Sequence, residues 1–182
     1  MPPSKTPTNQ IGFTMVELVV VIIIVSIIGI VAVNRFWQWS VVAERASVQT
    51  VVGAIRTSLG LETSRLALRQ QLSRLPKVVG TNPMKLLAQT PDSYIGEVEN
   101  EKNPVQDGSW YFDTSNKFLV YRLKYIDGFS SKLKGVPRIR YRIKLIYTDN
   151  NRNRRFDQGV DDIGGLDMVP VENYTWQPAE AK

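Results

Sequence analysis

The stretch GFTMVELVVVIIIVSIIGIVAV occupies residues 12–33 and carries one charged side chain, Glu17. As a helix, residues 13–33 would extend about 31 Å at about 1.5 Å per residue, enough to cross a hydrocarbon core about 30 Å thick. The uncharged run from Leu18 to Val33 is mostly Val and Ile. It lacks the polar face of a helix lying on a soluble domain. A cleaved secretory signal also fits poorly, because no A-x-A-like site follows Val33 and an amphipathic helical pattern simply continues. A carboxylate inside a membrane helix costs about 2.5–3.5 kcal/mol at the bilayer centre unless it is paired, so Glu17 reads as a functional residue in need of a cation.

Around that run the chain resembles the type IV pilin-like superfamily, which comprises type IV pilins, minor pilins and the pseudopilins of type II secretion. The resemblance rests on the short polar leader Met1 to Gly12, the junction Gly12-Phe13-Thr14-Met15-Val16-Glu17 and the apolar run behind it. It implies cleavage by a prepilin peptidase between Gly12 and Phe13, N-methylation of Phe13, and a role for Glu17 in assembly. There its carboxylate would meet the N-terminal ammonium of an adjacent subunit, a pair that neutralises both ions in low dielectric. The implied fold is α+β: a long N-terminal helix, membrane-spanning in its first half, packed on an antiparallel β-sheet. Two departures point toward a minor pilin or pseudopilin. No proline lies between Phe13 and Pro76, where many major pilins place one, so Gly29, Gly53 and Gly60 are the weak points for any break. The C-terminal disulfide of many major pilins is also out of reach without cysteine.

The rest of the composition is that of a basic soluble domain. The chain has 182 residues, net charge +6, 43% apolar residues, and neither Cys nor His. This excludes disulfides, thiolate or imidazole catalysis and ordinary transition-metal sites, so any metal must be bound by oxygen. The expected divisions are a cleaved leader at 1–12, a transmembrane and filament-core segment at 13–33, the outer half of the long helix at 34–75, and a connecting loop with a C-terminal sheet domain at 76–182.

Val41, Val48, Val52, Ile55, Leu59 and Leu66 recur at helical spacing, predicting that the helix continues into water until Pro76 and packs on a sheet. Phe36, Trp37 and Trp39 are placed like an interfacial aromatic belt. Residues 76–110 read as irregular, with a short helix at 83–89 and an acidic cluster at Glu97, Glu99 and Glu101. Strands are expected at 109–113, 117–125 and 136–148. In the last, Ile139, Tyr141, Ile143 and Leu145 alternate with Arg138, Arg140, Arg142 and Lys144, giving one face on the helix and one wet face.

Between residues 117 and 155 there are 12 basic and 2 acidic side chains, whereas residues 76–116 hold 3 and 6 and residues 156–182 hold 1 and 6. Cations at every second position repel. The flanking acidic segments are expected to balance them, and Arg138, Arg140, Arg142 and Lys144 are the residues that would otherwise take a polyanion such as DNA. The segment Asp149-Asn150-Asn151-Arg152-Asn153-Arg154-Arg155-Phe156-Asp157 has the spacing of a calcium loop. Its ligands would be Asp149, Asn151, Asn153, the Arg155 carbonyl and Asp157. Against this, Arg154 replaces the usual glycine and Val160 the usual glutamate, and a polar hairpin turn explains the same residues. The adjacent carboxylates Asp161 and Asp162 are the only basis for an enzyme, and nothing places them around a pocket.

The function so implied is a structural subunit of a type IV pilus or type II secretion filament, with a DNA-binding or adhesive subunit as the alternative. Its partners would be other pilin or pseudopilin subunits, the prepilin peptidase and the bacterial inner membrane. It would cross that membrane once, with a periplasmic C-terminal domain, before entering the filament. Calcium is the one cofactor the spacing suggests.

Overall fold

The computed structural model describes residues 13–99 and 105–177. The expected leader, including Gly12, and Glu101 of the acidic cluster lie outside the described residues. One helix, α1, runs Met15–Leu68. It contributes to two compact units, one ending at Trp39 and one beginning at Ser40.

In the first unit every large apolar side chain from Phe13 to Val33 is exposed. Within the run from Leu18 to Val33 the lone hydroxyl, Ser26, donates to the Ile22 carbonyl at 2.7 Å, so its polarity is satisfied inside the helix. By length and composition α1 can cross a membrane. It passes unbroken through Gly29, Gly53 and Gly60. A Cβ at any of the three would meet nothing within 4 Å, so packing within the chain does not require them.

In the second unit the stripe predicted from spacing is the buried face of α1. Val41, Val48, Val52 and Leu66 are buried, and Ile55 and Leu59 are fully so. All but Leu66 form one core with Trp110, Leu119, Tyr121, Ile139, Tyr141 and Ile143 from the sheet. The helix stops at Leu68, short of the predicted boundary at Pro76. Gln71 N–H donates to the Leu66 carbonyl at 2.8 Å and Gln70 N–H to Ala67 at 2.9 Å, and Gln70 takes φ 55°. These bonds make a Schellman closure without the glycine that usually announces one. A 3₁₀ segment, Leu72–Val78, then accommodates Pro76 and buries Leu75.

Among the described residues seven strands follow: β1 Tyr94–Val98, β2 Trp110–Asp113, β3 Phe118–Arg122, β4 Phe129–Ser131, β5 Arg138–Thr148, β6 Asp162–Pro170 and β7 Tyr174–Trp176. The main sheet has the order β1-β2-β3-β5-β6, and β4 pairs separately with β7. The three expected strands correspond to β2, β3 and β5. The α+β arrangement is the expected one, a long helix on a mostly antiparallel sheet in which β1 runs parallel to β2. One further expectation is corrected. The face away from α1 is not wholly wet, because Val105, Tyr111 and Val120 form a second buried cluster. The expected helix at 83–89 is a 3₁₀ turn, Pro83–Leu86, capped by the Asn82 side chain. Gly128 precedes β4 with φ 69°, and a Cβ there would overlap the Gln177 carbonyl.

Candidate functional site

At the head of α1, Phe13 precedes the helix and Thr14 caps it. The Thr14 hydroxyl accepts from Glu17 N–H at 3.2 Å, and the Thr14 carbonyl takes the first helical bond from Leu18 N–H at 3.1 Å. Thr14 is thus the N-cap and Glu17 the third helical residue, with only the Thr14 half of a capping box formed. The Glu17 side chain is exposed. Among the described residues its carboxylate makes no hydrogen bond or ion pair. The junction therefore presents a short polar start, a carboxylate one turn in, and an uncovered apolar helix. Residues 7–33 match the family model of the prokaryotic N-terminal methylation motif. The chain carries a class III prepilin signal. No curated protein and no solved structure matches it. Of the residues assigned from sequence, Phe13 and Glu17 stand in this prepilin segment, together with the cap Thr14.

The four basic residues of β5 do not act as one patch. Arg140 pairs with Glu172, and its guanidinium lies over the Phe118 ring, 5.1 Å from the centroid. Arg138 folds back to donate to the Val136 carbonyl at 3.0 Å. Arg122 on β3 pairs with Asp107 at 2.7 Å. Glu172 and Asp107 come from the two acidic segments that flank the basic region, so the expected balance is met within one subunit for these two arginines. Arg142 and Lys144 remain exposed. In the acidic cluster, Glu97 is held by Lys85 at 2.7 Å and Asn82 at 2.9 Å. Those bonds, Asn82 first, lower its pKa.

The Asp149–Asp157 loop joins β5 to β6. Asp149 accepts from the N–H groups of Asn153 at 3.2 Å and Arg154 at 2.7 Å. Arg154 takes φ 64°, supplying the turn in the place of the absent glycine. The amides of Asn151 and Asn153 both donate to Asp157 Oδ2. The Asn151 and Asn153 side-chain oxygens accept from the N–H groups of Asn153 and Arg155. Asp149, Asn151, Asn153 and Asp157 are thus brought together, closed by hydrogen bonds among themselves and the loop backbone. Among the described residues, no group of three or more carboxylate, thiol or imidazole side chains is placed to hold a metal ion. Asp161 is buried at 8% exposure. Its oxygens accept from Asn150 N–H at 3.0 Å and Asp157 N–H at 2.8 Å. Asp162 accepts from the Asn150 amide at 3.1 Å. The two adjacent acids therefore serve the turn.

One residue with a clear task escapes the motif search. Glu44 on α1 is 9% exposed and accepts from Tyr121 Oη at 2.9 Å, Lys124 N–H at 2.7 Å and Tyr125 N–H at 2.8 Å. It fastens the helix to the end of β3. The signal for it is present in the sequence: between Glu17 and Glu62 it is the only acid, and it sits one turn from Val41 and Val48 on the buried stripe.

Proposed function

We propose that this chain is a structural filament subunit, a minor pilin or pseudopilin of a type IV pilus or type II secretion system. Prepilin peptidase would cut it after Gly12 and methylate Phe13. The observation that carries the reading is the methylation motif at residues 7–33 joined to a helix whose apolar side chains are all uncovered from Phe13 to Val33. A helix apolar all round needs a membrane or other helices as its surroundings, and a filament core supplies the second. Glu17 would then meet the new N-terminal ammonium of a neighbour. The pair costs little once formed and much if either ion is left alone. The role is one of assembly from the inner membrane, with no catalytic step assigned to any residue.

Mass spectrometry of the native protein is the test, with a chain beginning at N-methyl-Phe13 as the expected result. An intact Met1 end in cells with active prepilin peptidase would refute the proposal. Glu17→Val is expected to stay in the membrane fraction while its incorporation into filaments drops at least tenfold, the effect of losing about 1.4 kcal/mol or more of pairing.

A further inference from the structure

The second compact unit holds a cavity of about 700 Å³ lined by α1, β5, β7 and the segments next to β7. Arg45 and Arg56 of α1 stand in its wall with Tyr141, Tyr174 and Trp176, and no Asp or Glu lines it. Two cations thus face a lining without a carboxylate, beside the amides of Gln49, Asn173 and Gln177. The Tyr141 and Tyr174 hydroxyls lie 2.8 Å apart, so one proton bridges them and the second has no acceptor among the described residues. The Trp176 indole N–H is buried without an acceptor. Arg56 is engaged by Asp167 at 3.2 Å and by the Met168 carbonyl at 2.8 Å. Arg45 has no ion pair among the described residues. Val48, Val52 and Pro170 give the cavity an apolar floor.

Unbalanced positive charge and a spare phenol proton over apolar side chains suit a carboxylate on an aliphatic stem. We propose that the cavity receives an acidic side chain from an exposed segment of a partner subunit, its carboxylate bound by Arg45 and the spare hydroxyl proton of the tyrosine pair. The identity of the partner rests on the filament-subunit reading, whereas the ligand chemistry does not. A failure here leaves the Phe13 test standing.

The experiment is fluorescence polarisation of a labelled tri-glutamate peptide with the full chain in uncharged detergent, with tri-glutamine as control. Saturable binding of tri-glutamate alone is expected. Arg45→Gln should weaken it about tenfold, the usual effect of removing a charge-assisted hydrogen bond, and Tyr174→Phe should weaken it several-fold, with far-UV circular dichroism and the thermal midpoint of the fold retained in both. A double variant, Arg142→Gln with Lys144→Gln, should bind as the parent does. The proposal is overturned by absent binding, by equal binding of tri-glutamine, or by a loss that follows Arg142 and Lys144 in place of Arg45.

Discussion

Glu44 concentrates more of the fold in one side chain than any motif residue does. Removing it strands a phenol hydroxyl and two backbone N–H groups in a buried place. Glu44→Ala should therefore cost about 3 kcal/mol, seen as a lower thermal midpoint. Tyr121 and Tyr141 give a pH signature. Burial, then the bond to Glu44, raises the Tyr121 pKa, and burial, then the bond to Tyr174, raises that of Tyr141. The unfolded chain loses these phenol protons above about pH 10 while the folded one keeps them. Stability is thus full below that pH and falls as pH rises beyond it. Ultraviolet titration should find Tyr121 and Tyr141 ionising only as the fold is lost. Two of the legible residues, Phe13 and Glu17, are legible because the apolar run that follows makes one charge at its head conspicuous. Arg45 and the tyrosine pair are not, since their meaning comes from a cavity formed by segments far apart in sequence.

Among the elements, α1 is the most readable and its end the least. Its buried stripe follows from spacing alone, but the stop at Leu68 depends on Gln70 adopting a left-handed backbone, which no residue type there advertises. Gln70→Gly should stabilise the closure by about 0.5–1 kcal/mol, checked by chemical denaturation. The strands divide in the same way. Uninterrupted alternation exposes β3 and β5. β1 contains Gly96 at φ 104° and β6 contains Gly165 at φ 148°, and the pairing register shifts in both regions, so periodicity fails there. β4 and β7 are too short to carry a period, and their pairing relies on Gly128. Gly128→Ala should cost more than about 2 kcal/mol, because strain and overlap with Gln177 coincide. The β5–β6 loop closes on its own hydrogen bonds, so the melting temperature is expected to be the same in millimolar calcium and in chelator. An upward shift with calcium would instead establish the cation site suggested by the spacing of Asp149, Asn151, Asn153 and Asp157.

For the whole molecule, averages conceal what segregation reveals. Mean hydropathy is slightly negative, yet the large apolar residues from Phe13 to Val33 are uncovered among the described residues. The basic excess is likewise distributed, with Arg122 and Arg140 neutralised by acids remote in sequence. Any hold on DNA would fall to Arg142, Lys144 and the exposed loop arginines Arg152, Arg154 and Arg155. If they do bind it, affinity must drop steeply between about 50 and 200 mM salt, and gel-shift titration across that range checks this. The bond from Arg56 to the Met168 carbonyl has a consequence for how whole molecules meet. β6 is an outermost strand, and an outermost strand offers its unpaired backbone as a template for any other chain. By occupying that carbonyl, the guanidinium acts as a gatekeeper against edge-to-edge stacking. That position on the β6 edge is thereby closed to a pairing strand, and a neighbour would have to be recognised there through side chains.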